Sequence, residues 1–254
     1  MIASLAACIA AAAAYACRLL TITGLAAALA VGLSVSLLGW NGLYLLGFFF
    51  ISSYLLERIF RPAEEVEAKG ARRDGTQVIA NGGAAALAAI IYSIYPSEAA
   101  LTAFAAALSA AASDTWASAA GKSAQGPAVL IFSRKRVDAG ISGGITVKGT
   151  SWAFAGAILT AAAAQLLFTE LRIEHAILIA AAGFTGQLID SAAGEKMQLL
   201  YKCPQCGTLT EKTEHCRRQA MAVKGISGIN NDMVNLIATS GAAVLAGIYV
   251  MLFT

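Results

Sequence analysis

Charge is what this chain has least of. Only 13% of its 254 residues are Asp, Glu, Lys or Arg, while 58% are hydrophobic and the mean hydropathy is +0.68. Soluble domains carry about 25% charged residues, so a water-soluble helical bundle would lack the surface it needs. The first apolar run also lacks the pattern of a secretory leader. No basic stretch precedes the first apolar run, and the first charged residue, Arg18, comes after it; the first run is therefore expected to be a retained helix. There is no Ser-His-Asp arrangement, no metalloprotease histidine pattern, no internal repeat and no nucleic-acid recognition motif. The net charge of +3 is modest, and its basic residues flank apolar runs. That reads as membrane topology and anionic-ligand binding, with no nucleic-acid partner.

What the chain does have is long apolar segments, rich in alanine and carrying many of its 24 glycines. Small residues let membrane helices approach closely, and a helix needs about 17–25 apolar residues to cross a bilayer. Eight segments fit: about 2–17, 20–38, 42–60, 77–95, 98–118, 150–169, 174–193 and 231–253, the first being short. If the first does not span, seven remain. The expected fold is an all-α, polytopic transmembrane bundle, one integral membrane domain over 1–254, with a loop at 194–230 carrying a Cys/His cluster.

Basic residues orient it. Of 18 Lys and Arg, all but Arg172 fall on one side of an eight-span arrangement, mainly in 58–73, 122–148 and 196–224. The positive-inside rule then places the long loops in the cytoplasm of a prokaryotic cell and both termini outside. Pro62 is expected to close the third helix. Glu170 and His175 fall on the outer side, where a lone histidine reads as interfacial.

Polar groups are missing from the middle of the spans, where a transporter or flippase would place them. They gather at the inner ends. Asp114, Ser118 and Gly121 share a helix face at spacings of four and three. Gln187, Asp190, Ser191 and Gly194 repeat the pattern on the seventh segment. Asn231, Asp232 and Asn235 open the eighth, and Asn81 lies about one turn inside the fourth. Aspartates with amide and hydroxyl neighbours suit a hard cation, and Mg²⁺ is typically held by one or two carboxylates plus substrate phosphates. Asp114, Asp190 and Asp232 are the candidate Mg²⁺ ligands; hydrogen-bonded packing between helices is the alternative.

The loop "SRKRVDAGISGGITVKGTS" is the candidate anion site. Arg134 and Arg136 supply charge, and Ser142, Gly143 and Gly144 supply a hydroxyl and backbone N–H groups free to curl around phosphate. Lys148 supplies a point charge, and Gly149 and Thr150 lie where the sixth helix begins and attracts anions. The "GKS" at 121–123 is no Walker loop, because Trp116 stands where the first glycine belongs and a membrane helix precedes it. Lys122 remains a candidate ligand contact. Cys203, Cys206, His215 and Cys216 form a Cys3His set suited to structural Zn²⁺, although the adjacent His-Cys pair departs from a second C-x2-C. A thiol cluster without metal is the alternative, since a reducing cytoplasm disfavours a disulfide.

Together, "RRDGTQVIANGGAAALAA", "ASDTWASAAGK", "ISGGITVKGT", "GQLIDSAAGEKMQLLYKCPQCG" and "NNDMVN" resemble the integral-membrane family that includes the chloroplast phytyl-phosphate kinase, over about residues 60–254. The resemblance implies transfer of a phosphoryl group from a nucleoside triphosphate, CTP in the first instance, to an isoprenyl monophosphate of the phytyl or geranylgeranyl type, within membrane lipid. Asp114 to Gly121 also resembles the motif of CTP-using polyprenol kinases and phosphatidate cytidylyltransferases, but the following glycine, Gly126, comes one residue late. A CTP-dependent lipid cytidylyltransferase is thus the second expectation and a transporter or flippase the third. A homo-oligomer is left open. Asp114, Asp190 and Lys148 are the expected catalytic residues, with Asn81, Ser118, Lys122, Gln187, Ser191, Asn231 and Asn235 in binding roles.

Overall fold

The computed structural model describes residues 1–60 and 72–253. Pro62 and the acidic stretch behind it lie outside the described residues; the third helix ends at Ile59. Eight α-helices form among the described residues: α1 (Ile2–Ala16), α2 (Ile22–Val35), α3 (Gly39–Ile59), α4 (Gly75–Ile94), α5 (Glu98–Lys122), α6 (Val147–Leu167), α7 (Ile173–Lys196) and α8 (Asn231–Phe253). Caps set several starts. Thr21, Ser97 and Thr146 accept from Gly24, Ala100 and Gly149 N–H, and Asp74 and Gln77 form a reciprocal capping box.

The chain is a polytopic helical membrane protein. Five stretches of the described residues are long and apolar enough to cross a bilayer: Ile22–Ile59, Gly75–Ile94, Val147–Leu167, Ile173–Lys196 and Asn231–Phe253. The first is two passes. Its 38 residues would extend about 57 Å as one straight helix, yet both ends meet Arg73. The Arg73 carbonyl takes Thr21 N–H at 3.0 Å, and its guanidinium pairs with Glu57 at 2.6 Å. A short 3₁₀ turn at Ser36–Leu38 and Gly39, at φ +70°, make the reversal. At the opposite end Asn41 donates to the Leu167 carbonyl, joining the start of α3 to the end of α6.

α5 is the hub, packed against α3, α4, α6, α7 and α8. It is not among the five apolar stretches, because its alanines and serines face other helices and not lipid; Leu101, Phe104, Leu108 and Ala111 are fully buried. Small residues bring neighbouring backbones close. Ser109 and Ser113 donate to the Ala157 and Ala153 carbonyls of α6. A Cβ at Gly156 would stand 3.2 Å from the Ala112 carbonyl oxygen, and one at Gly183 would overlap the Ser109 hydroxyl. Overpacking of this kind costs about 1–3 kcal/mol. Gly183→Ala should therefore lower the melting midpoint in detergent by about 3–10 °C, whereas Gly47→Ala, where a Cβ meets nothing within 4 Å, should not lower it. Equal shifts for the two would remove the tight grip on α5.

His175 has partners that its sequence position does not show. It is 1% exposed, accepts from Arg172 N–H at 3.1 Å and lies 3.3 Å from Glu98, so it ties the start of α7 to the start of α5.

The two long loops hold three small antiparallel sheets that an all-α expectation omits. Residues 123–146 carry β1 (Ala128–Leu130), flanked by β2 (Arg136–Val137) and β3 (Gly144–Ile145). Residues 197–230 carry β4 (Leu200–Lys202), β5 (Leu209–Thr210), β6 (Glu214–His215), β7 (Arg218–Gln219) and β8 (Met221–Lys224), with order β5-β4-β8 and a separate β6–β7 hairpin. Glu195, at the end of α7, accepts Phe132 and Ser133 N–H at 2.7 and 3.0 Å, fastening the β1–β2 turn to the bundle.

Candidate functional site

At the end of the bundle where these loops fold back, a cavity of about 80 Å³ opens between α5, α6, α7 and the glycine-rich loop before β3. Two carboxylates from different helices form its floor. Asp114 on α5 and Asp190 on α7 share a side-chain hydrogen bond, and Glu211 faces Asp190 electrostatically. Asp190 Oδ1 and Gln187 Oε1 are buried without a hydrogen-bond partner. Two carboxyl groups in contact require a shared proton or a cation between them. Buried acceptors left open beside them fit a hard cation that takes oxygen ligands.

The walls come from the places the sequence marks. α5 supplies Ser118, Gly121 and Lys122; the loop supplies Ser142, Gly143 and Gly144; α6 supplies Gly149 and Thr150; α7 supplies Gln187 and Ser191; α8 supplies Asn231. Lys122, from the "GKS" that fails as a Walker loop, is the one Lys or Arg lining the cavity among the described residues.

Other expected members lie elsewhere. Lys148 points away: its ammonium donates to Ser123 at 2.9 Å and sits 4.5 Å from the centre of the Phe60 ring. It lines a neighbouring open hollow of about 450 Å³ with Ala124, Gln125, Gly126, Pro127 and Val147; Thr146 borders both spaces. Two residues beyond the cap of α6, its side chain leaves the helix about 100° around from Gly149. Arg134 and Arg136 are exposed on the β1–β2 hairpin, Arg134 in its turn at φ +56°, and neither lines the cavity. Asp232 is buried but accepts the Thr76 hydroxyl at 2.7 Å, binding α8 to α4. Asn81 donates to the Gln77 carbonyl within α4, and Asn235, whose Oδ1 is buried, also lies off the cavity. The expected three-aspartate set is thus a pair, with Asp232 in the α4–α8 contact.

Glu211 is the member that sequence reading misses. It follows β5 in the Cys/His loop, where nothing in the spacing marks it as a partner of Asp190. Its carboxylate accepts from Gln198 Nε2 at 2.7 Å, and Gln198 Oε1 in turn accepts the Ser142 hydroxyl. Gln198, 2% exposed, thereby joins the glycine loop to the Glu211 arm. The glycine pair also has a packing role. A Cβ at Gly143 would overlap Glu195 N, and one at Gly144 would stand 2.9 Å from Ala128 Cβ.

Cys203, Cys206, His215 and Cys216 converge, their ligand atoms all within 4.8 Å of one another. Thr208 hydroxyl and N–H contacts hold the Cys206 thiol down at about 6, while its contact with Cys206 pushes Cys216 up to about 11. Backbone N–H groups of Cys206 and Gln205 lower Cys203.

The family described as "Integral membrane protein DUF92" matches residues 5–243 of the chain. The uncharacterized membrane protein MJ0933 of Methanocaldococcus jannaschii is 32% identical over 217 residues, covering 80% of this chain and 77% of that one. No solved structure matches the chain.

Proposed function

The chain belongs to the DUF92 family of integral membrane proteins, and on that footing we propose that it is a Mg²⁺-dependent phosphotransferase, moving the γ-phosphoryl group of a nucleoside triphosphate, CTP in the first instance, onto an isoprenyl monophosphate. The observation that carries this reading is the meeting of Asp114 and Asp190, from two helices, in a cavity that also holds Lys122 and the Ser142–Gly144 loop. The cavity is smaller than the roughly 300–1,000 Å³ of whole-ligand sites; it suits phosphoryl groups. The adjoining hollow, sharing Thr146 and holding Lys148, is in the range for the rest of a nucleotide.

Phosphoryl transfer asks the protein mainly for positioning and charge compensation. A divalent cation, when bound by Asp114 and Asp190, would neutralise phosphate charge. Lys122 adds a fixed positive charge on the same wall, and Gln187 and Ser191, hydrogen-bonded to each other at 2.9 Å, orient the oxygens opposite. An oxygen of the lipid monophosphate attacks the γ-phosphorus; the bond to the β-phosphate oxygen breaks, and the nucleoside diphosphate leaves. The acceptor is already an anion, so no strong general base is needed. The isoprenyl tail stays among the apolar helices. Under this reading the site faces the cytoplasm of a prokaryotic cell membrane, where nucleotide is available.

The test is purified protein in detergent with Mg²⁺, geranylgeranyl or phytyl phosphate, and each of four nucleoside triphosphates in turn. Lipid diphosphate and nucleoside diphosphate in equal amounts are expected. Pyrophosphate with a nucleotide-linked lipid would make it a cytidylyltransferase, and no nucleotide consumption would leave no phosphotransferase. Lys148→Ala should raise KM for the nucleotide about 10-fold or more, the value of one charged hydrogen bond, with a smaller effect on kcat. An unchanged KM would take the hollow out of the nucleotide path.

A further inference from the structure

The Cys/His loop folds back on itself through five short strands, β4 to β8, and the side chains it brings together have the geometry of a coordination shell. In a tetrahedral zinc site with Zn–S near 2.3 Å and Zn–N near 2.0 Å, ligand atoms stand about 3.8 Å apart for two sulfurs and about 3.5 Å for sulfur and nitrogen. Here Cys206 Sγ and Cys216 Sγ are 3.8 Å apart, and His215 Nδ1 lies 3.4 Å from the first and 3.3 Å from the second. Cys203 Sγ is within 4.8 Å of all three, so a side-chain shift of about 1 Å completes the set.

The backbone is arranged to the same end. Cys203 and Cys206 sit on a tight turn closed by Cys203 N–H to the Thr208 carbonyl at 2.9 Å and Gly207 N–H to the Cys203 carbonyl at 3.0 Å, with Gly207 at φ +76°. Adjacent residues in a strand point to opposite faces, so neighbouring His215 and Cys216 should not reach one point. They do because the chain leaves β6 at Cys216, at φ +52°, followed by Arg217 at φ +57°. Two non-glycine residues in the left-handed region are costly, and a two-residue hairpin turn of this kind ordinarily uses Asn or Gly. Cys216 gains only the convergence of four ligands.

We propose that Cys203, Cys206, His215 and Cys216 bind one zinc ion, which pins the β4–β5 and β6–β7 hairpins together and so fixes the connecting segment that brings Glu211 to the Asp114–Asp190 cavity. Glu211 lies between the two halves of the ligand set, one residue after β5 and three before Glu214 of β6, and is clamped from the far side by Gln198. The ion is structural: four protein ligands leave no open position for substrate. Zinc binding is independent of the phosphotransfer reading, since metal content is measured without turnover.

The test uses the full-length protein, purified in detergent under reducing conditions without added metal. About one zinc per chain is expected, and exchange with Co²⁺ should give the visible and near-ultraviolet bands of tetrahedral thiolate coordination. Cys206→Ser and Cys216→Ser should each lose the metal, while Cys8→Ser and Cys17→Ser, in and just beyond α1, keep it. Stripping the wild type with a chelator should raise amide exchange across residues 198–224 and leave α5 and α6 unchanged. No zinc as purified and none taken up on titration, or an octahedral Co²⁺ spectrum, overturns the site. Unaltered exchange in the stripped protein overturns the pinning of Glu211. If zinc is present and phosphotransfer is not, the zinc site stands and the catalytic reading falls.

Discussion

Asp114→Asn is expected to leave an inserted, helical protein with turnover reduced at least about 10³-fold, a loss of about 4 kcal/mol in transition-state stabilisation. Asparagine keeps the shape and one oxygen of the side chain but removes its charge, at the point where α5 meets α7 and the two carboxyls share a hydrogen bond. The fold should tolerate the change, because an amide can also hydrogen-bond to Asp190. The informative companion is Asp232→Asn. Sequence spacing puts Asp232 in the same metal set, yet its carboxylate is spent on Thr76 in the α4–α8 contact. Its replacement should cost stability and little of the chemistry. Measured kcat for both variants, with circular dichroism and elution volume as folding controls, decides the matter. Equal losses would return Asp232 to the reaction, and wild-type turnover in Asp114→Asn would remove the cavity from it.

Gly143→Ala should be the most damaging methyl group added to the loop that lines the cavity. Gly143 has φ +83°, where an L side chain costs about 1–2 kcal/mol. Its new Cβ would also overlap Glu195 N and stand 2.7 Å from Glu195 Cα. Backbone cannot rotate out of the way as a side chain can, so a further 1–3 kcal/mol of overpacking is expected. The loop must then lift from α7, taking Ser142 off Gln198 and loosening the Glu211 arm. A fall of roughly 5–15 °C in the melting midpoint, with near-complete loss of cation binding at the cavity, is the expected pair of results. Gly126→Ala, also at positive φ but with nothing within 4 Å of the added Cβ, should cost only the conformational part. A Gly143→Ala protein that melts no lower than Gly126→Ala would mean the loop does not pack on α7 as described.

These residues also show what the sequence made legible. The helices could be read because most are long apolar runs, several with charges or caps at their ends, and α8 falls at 231–253 as expected. Asp114, Asp190 and their small neighbours could be read because a polar face at one end of a greasy helix is an anomaly needing no partner to be noticed. The strands were not legible: two to four residues are too few to show a period of two. Direction was the other blind spot. Lys148 stands at the right place along the chain and faces the wrong way around its helix, while Lys122, a candidate contact even though its motif is no Walker loop, lines the cavity. Glu211 depends on a fold-back of the Cys/His loop that no local pattern encodes. The "ISGG" glycines were read as a phosphate cradle, but the close approach of Gly143 to α7 already requires glycine there.

The burial of α5 among five other helices has a consequence for how the protein tolerates change. Much of its position is set by close backbone approach through alanine, serine and glycine, so it has few flexible side chains to absorb an error of placement. A saturation scan should therefore show an inverted landscape. The most hydrophobic helices, α2 and α8, should accept many apolar exchanges on the faces they turn to lipid. The least lipid-like helix should accept almost none, enlargement being as harmful as polarity. Asp114 is carried on that helix, which makes the accuracy of the carboxylate a property of the whole bundle and not of its immediate neighbours.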